Sequence, residues 1–189
     1  MHRKITEAGI YYITFTCNKW LPLIEVTKGY DLVYKWFDVL VREGHAITGY
    51  VIMPNHIHLL LYYKGGSQSL NTIVGNGKRF MAYGIVERLE CQREDRLLDI
   101  LKKGVCESDR LRGKKHQVWK DAFDAKECRT DDFAFQKLQY IHNNPCTGKW
   151  KLAENIIDYP HSSALFYITW KQGIYPVGDY RAFLKFDEE

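Results

Sequence analysis

Val51-Ile-Met-Pro-Asn-His-Ile-His-Leu-Leu-Leu61 decides how the chain is read. Two apolar runs, 46–53 and 57–64, flank Pro54-Asn55, a pair suited to a tight turn, so the segment predicts two adjacent strands. Side chains alternate faces along a strand, so His56 and His58 share a face with their Cβ atoms close together. Two neutral imidazoles so placed can hold one divalent metal ion if further ligands arrive from elsewhere. The run Leu59-Leu60-Leu61-Tyr62-Tyr63 supports the strand.

A second informative stretch is Thr130-Asp-Asp-Phe-Ala-Phe-Gln-Lys-Leu-Gln-Tyr-Ile-His-Asn-Asn-Pro145. Thr130 or Asp131 can cap a helix here, and Asp131 and Asp132 suit its positive end. Pro145 disfavours helical geometry at Asn144 and sets the stop. Helical spacing gives Phe135, Leu138 and Ile141 as the expected buried stripe. Tyr140 falls on the opposite side, with Gln136 one turn before it and Asn144 one turn after. A tyrosine turned away from the buried stripe, among amides, suits a nucleophile presented to a site elsewhere. It equally suits an ordinary surface tyrosine.

The rest of the pattern predicts a fold. Ile10 to Cys17 reads as a strand, and Thr27 to Glu43 as a helix with Leu32, Val33, Trp36, Phe37 and Leu40 on one face, stopped by Gly44. After the two central strands, Ser67 or Ser69 opens a second helix reaching Cys91, with Gly75 and Gly77 weakening its start. Arg96 to Lys102 is a short helical piece, and Val118 to Arg129 contains a fourth strand before the Tyr140 helix. The order β-α-β-β-α-β-α is α+β, a ferredoxin-like split βαβ sandwich with an antiparallel sheet and helices on one face. The tail shows turns around Pro160 and Pro176. Gly75-Asn-Gly-Lys-Arg79 lacks the spacing of a phosphate loop.

Composition sets bounds on function. A chain of 189 residues, 46% hydrophobic, can bury one sizeable core. The net charge of +4 is mild, but 110–120 holds five basic residues, Arg110, Arg112, Lys114, Lys115 and Lys120, and no acid. With Trp119 beside them, these residues can track phosphates and stack a base, or simply form a solvated loop. Five scattered cysteines without a Cys-x-x-Cys pair argue against a disulfide framework or a zinc site. Met1-His-Arg-Lys4 leads into the first strand without an apolar leader, and no long apolar run follows, so a soluble, cytoplasmic protein is expected, with no membrane association. The acidic end, Asp187-Glu-Glu189, is expected to fray.

Taken in order, several pieces resemble the single-tyrosine HUH transposases, which move insertion sequences as single-stranded DNA, and most closely the REP-associated tyrosine transposases. These pieces are Tyr11-Tyr-Ile-Thr-Phe-Thr16, Gly49-Tyr-Val-Ile-Met-Pro-Asn-His-Ile-His58, Lys78-Arg-Phe80, Val118-Trp119 with Phe123, Tyr140-Ile-His-Asn-Asn-Pro145 and Tyr159-Pro-His-Ser-Ser163. Many relatives continue after the proline with Val-Arg-Ala-Gly, where this chain has Cys146-Thr-Gly-Lys149. The resemblance implies a transposase domain over 1–149 and a C-terminal extension over 150–189, packed on or flanking it. It implies Tyr140 as nucleophile and His56, His58 and Asn144 as ligands of Mg²⁺ or Mn²⁺, although nitrogen donors would also accept Zn²⁺. Lys78 and Arg79 join the basic segment as DNA contacts. The implied partner is single-stranded or hairpin DNA, and the protein is nucleoid-associated when bound. The implied reaction makes a 5′-phosphotyrosine and a free 3′-hydroxyl, then reverses onto another 3′-hydroxyl. A homodimer stays open, because insertion-sequence relatives commonly swap tyrosine helices whereas REP-associated ones need not.

Three other readings compete. A domesticated hairpin-binding protein that no longer cuts would be expected to lose the His56, His58, Tyr140 and Asn144 set, which is intact here. A metal-dependent hydrolase would need a carboxylate that the hairpin region does not offer nearby. A replication initiator or relaxase would share the chemistry, but the chain is short and shows no helicase region. Tyr159 is the rival nucleophile. His45, His116, His142 and His161 are read as loop, capping or DNA-contact residues.

Overall fold

The computed structural model describes residues 4–148 and 150–184; the acidic stretch at 187–189 lies outside the described residues. Four strands, β1 (Gly9–Thr16), β2 (Ala46–Ile52), β3 (His56–Tyr63) and β4 (Asp124–Glu127), form one sheet in the order β2-β3-β1-β4, with every pairing antiparallel. The helices are α1 (Leu23–Val26), α2 (Tyr30–Arg42), α3 (Leu70–Cys91), α4 (Asp95–Lys103), α5 (Glu107–Leu111), α6 (Asp131–Asn143) and α7 (Ala164–Thr169). The ferredoxin-like α+β class expected from the sequence is the class observed.

The alternation of β3 divides the molecule into two cores. Ile57, Leu59, Leu61 and Tyr63 face α2 and α3, joined by Tyr11, Ile13 and Phe15 of β1. Ser69 caps α3 by accepting from the Thr72 amide. Gly77 serves packing: a Cβ there would run into the indole of Trp36, so only glycine lets α2 and α3 approach at this point. The segment 75–79 is helix interior, in keeping with the rejection of a phosphate loop.

The other face carries the site. Ile10, Tyr12, Val51, Met53 and Leu60 pack there against Ala134, Leu138 and Ile141 of α6. The tyrosine helix therefore lies across the sheet from α2 and α3, where helices on one face alone had been expected. Gly49 permits this docking, since a Cβ there would sit 2.6 Å from Cδ1 of Leu138. Phe135, expected in the buried stripe, is 43% exposed; the stripe runs through Ala134, Leu138, Ile141 and His142, one position away.

Three further helices were not expected. Leu23–Val26 forms α1 ahead of α2, five residues just before and within the start of the basic segment form α5, and the tail forms α7. Within the tail, Ser162 bridges to Val51, the Ser163 hydroxyl accepts from the Tyr50 amide, and Phe166, Val177 and Tyr180 are buried against the two cores. No helix among the described residues is long and apolar enough to cross a membrane.

Candidate active site

The register of β3 sets the two histidines on the α6 side, with His56 opposite Thr16 and His58 opposite Thr14 of β1. Both imidazoles are buried. Each has one ring nitrogen held from behind. Nδ1 of His56 lies 2.7 Å from Oδ1 of Asn55, and Nδ1 of His58 lies 2.8 Å from the Tyr12 hydroxyl. The Asn55 amide is oriented by its own donation to the Trp20 carbonyl at 3.0 Å, so its oxygen faces His56 and the Nδ1 atom of His56 carries the proton. Tyr12 also stacks on His58, with ring centroids 5.7 Å apart. Holding Nδ1 in this way aims Nε2 outward, the arrangement that ligating histidines commonly show.

Both Nε2 atoms meet at Asn144. Its Oδ1 is 3.2 Å from Nε2 of His56 and its Nδ2 is 3.3 Å from Nε2 of His58. Asn144 reaches this point because α6 is capped at Thr130, whose side chain accepts from the Phe133 amide, and because the chain tightens into a 3-10 turn at Asn144–Cys146. With Nδ1 of His56 protonated, its Nε2 presents a lone pair toward the amide oxygen of Asn144. Two acceptors face each other unless the amide turns over or a cation lies between them. Two imidazole nitrogens and an amide oxygen converging on one point fit a divalent ion with open positions. Among the described residues, no group of three His, Cys, Asp or Glu side chains comes together.

Burial pushes His56 down to about 4, partly offset by its contact with Asn144, and pushes His58 down to about 3, helped by the neighbouring His56. Both rings are therefore neutral in ordinary buffers, the form that binds metals. Burial raises the Tyr12 phenol, so that hydroxyl stays protonated beside His58.

Tyr140 stands over this cluster. Its ring is 53% exposed, 5.2 Å from the His58 ring and 6.3 Å from Tyr12, edge-on to both. The structure thus brings His56, His58, Asn144 and Tyr140 together. Tyr159, the rival nucleophile, is buried with its hydroxyl donating to the Ile52 carbonyl at 2.7 Å. His45, His142 and His161 have other partners. His142 meets Ser163, His161 meets Tyr34 and stacks on Tyr30, and His45 accepts from the Lys64 amide, while His116 is partly exposed.

The expected DNA contacts divide. Trp119 is buried: it bridges to Cys17, donates to the Lys78 carbonyl at 2.8 Å and packs edge-on to Phe15, so its ring is not available to stack a base. Lys78 is also buried, with Nζ donating to the carbonyls of Lys120 and Asp121, and burial pushes it down to about 8. These two residues are corrected from DNA contacts to a buttress between α3 and the extended segment leading to β4. Arg79, Arg110, Arg112, Lys115 and Lys120 are exposed. Arg112 and Lys114 pair with Asp109, which stands just before the basic segment and offsets part of its charge.

The sequence reading missed Trp20. It is 52% exposed and sits beside the histidine pair, with its ring 5.9 Å from His56 and Lys120 Nζ 4.3 Å from its centroid. Lys19 and Trp20 both have left-handed backbones, φ 53° and 58°, a conformation costing of order 1–3 kcal/mol per non-glycine residue.

Comparison with solved structures agrees with this architecture. The chain superposes on a REP-associated tyrosine transposase bound to a REP hairpin with a TM-score of 0.59, at 18% identity, covering 99% of this chain and 94% of that one. The fold is that of a REP-associated tyrosine transposase. A candidate transposase from Deinococcus radiodurans R1 is also similar, with a TM-score of 0.36 and 16% identity over 76% of this chain and 95% of that one. No family model and no curated protein matches the chain.

Proposed function

We propose that the protein is a transposase that cleaves and rejoins single-stranded DNA beside a hairpin through a 5′-phosphotyrosine on Tyr140. The observation that carries this reading is the convergence of His56, His58 and Asn144 beneath the exposed Tyr140 ring. The shared fold supports it, since the similar REP-associated transposase was solved with a REP hairpin bound.

Tyr140 Oη attacks the phosphorus and loses its proton. The P–O3′ bond breaks and the 3′-oxygen leaves as a hydroxyl once protonated. Reversal onto another 3′-hydroxyl restores a diester, so the exchange needs no nucleotide energy source. His56, His58 and Asn144 would hold Mg²⁺ or Mn²⁺, which supplies charge withdrawal from the non-bridging phosphate oxygens. Asn55 and Tyr12 fix the two imidazoles in the orientation this requires. The exposed basic residues Arg79, Arg110, Arg112, Lys115 and Lys120, with Lys114, supply the phosphate contacts that position the strand.

The test is strand cleavage of a hairpin bearing a single-stranded flank. Cleavage in Mn²⁺, and none in chelator or with His56→Ala or His58→Ala, is the expected result. Hairpin binding without cleavage under every condition would leave a non-cutting DNA-binding protein instead.

A further inference from the structure

Trp20 takes no part in the chemistry above, yet the fold holds it at the edge of the site. Its carbonyl accepts from the Asn55 amide, and the same amide holds His56 through its oxygen. One side chain therefore locks the Trp20 main chain and the orientation of a candidate ligand together. The indole stands half in water, edge-on to His56, with the Lys120 ammonium 4.3 Å from its centroid. Two successive left-handed residues, Lys19 and Trp20, set it there, and neither is glycine. Trp119, the indole in the basic segment itself, is buried and has its ring nitrogen engaged.

A half-exposed indole with a cation over its ring matches the way proteins grip single strands. The ring stacks a base and the cation meets the backbone. We propose that Trp20, with Lys120, is the stacking platform for a base flanking the scissile phosphate, aligning the strand on Tyr140. This rests on the single-strand cleavage proposed above. Trp20 contacts substrate here and sets position and context preference, while bond-making stays with Tyr140. Because every base has a π face, the platform grips any base, with purines held more tightly than pyrimidines.

The experiment measures affinity of the full chain in chelator for a hairpin with a single-stranded flank. The probes carry an abasic site at each flank position in turn. Trp20→Ala should weaken binding to the intact flank about 5–150-fold, the range for losing one aromatic–base stack. Trp20→Phe should recover part of the loss. At one flank position the abasic site should weaken wild type by a similar factor and leave Trp20→Ala unchanged. A general folding defect would instead weaken binding to every probe alike, with no position at which the two losses overlap, and would overturn the proposal. So would wild-type affinity in Trp20→Ala. A wild type that cleaves normally while Trp20→Ala binds normally removes the platform alone. A wild type showing neither adduct nor preference for the flanked hairpin over a duplex removes the cleavage reading as well.

Discussion

The two faces of β3 are built from alternate residues of one strand, and they answer to different physics. On one face, Ile57, Leu59 and Leu61 are fully buried in the apolar cluster beneath α2 and α3. On the other, His56 and His58 are nearly as buried, but each ring nitrogen has a polar neighbour: Asn55, Tyr12 or Asn144. The dry face derives its stability from area and fit, so its cost is spread over many contacts. The polar face depends on a few oriented pairs, so single atoms matter to chemistry more than to folding. The shared register couples them, because slipping β3 by one residue would exchange the two sets.

Substitutions should separate the faces. The largest effect belongs to the polar face: Tyr140→Phe should abolish strand cleavage while leaving the melting temperature and DNA affinity close to wild type, since the ring is exposed and only its hydroxyl is lost. A large fall in stability would place Tyr140 in the core. On the dry face, Leu59→Ala should cost about 2–5 kcal/mol in denaturant unfolding and leave cleavage per folded molecule unchanged. Loss of cleavage without loss of stability there would break the division.

Smaller effects probe how the faces are supported. Tyr12→Phe removes the hydroxyl behind His58 and should weaken Mn²⁺ binding about 10–100-fold in a direct titration, while unfolding changes by about 1 kcal/mol. Unaltered Mn²⁺ affinity would mean that packing alone orients the ring. The smallest effect lies on the apolar side, where Arg88 of α3 grips Asp31 of α2 through two contacts of 2.7 Å. These contacts hold the Asp31 carboxyl down to about 2, so the pair's contribution is present above the ordinary carboxylate range and is lost as pH falls toward 2. Because Asp31 is 46% exposed, Asp31→Asn should cost under about 1 kcal/mol at neutral pH and markedly less at pH 2. An equal cost at both values would assign the effect to something other than charge.

The fold was legible where the pattern is local. Alternation gave β1 to β3, the alternatives Ser67 or Ser69 and Thr130 or Asp131 bracketed the starts of α3 and α6, which fall at Ser69 and Thr130, and Gly44, at φ 88°, ended α2. The misplaced Phe135 has a simple origin. Ala134 and His142 line the buried stripe, yet one is too small and the other too polar to register as apolar in a periodicity count. Trp119 was misread because its basic neighbours suggested a surface, whereas the bridge to Cys17 extends β1 and turns the indole inward onto Phe15. Trp20 offered no periodic signal at all, since its place depends on two left-handed residues and an amide contributed from position 55. The meeting of His56 and His58 with Asn144 depends on α6 crossing the sheet, a contact between distant parts of the chain. Pattern proposes such partners; only the docked helix brings them together.

The central claim is that Tyr140 forms the covalent bond to DNA. Wild-type protein incubated with single-stranded DNA labelled at the scissile phosphate and Mn²⁺, denatured and digested, should yield one labelled peptide, the one containing Tyr140. Label on any other tyrosine, or an undiminished adduct from Tyr140→Phe, would contradict it.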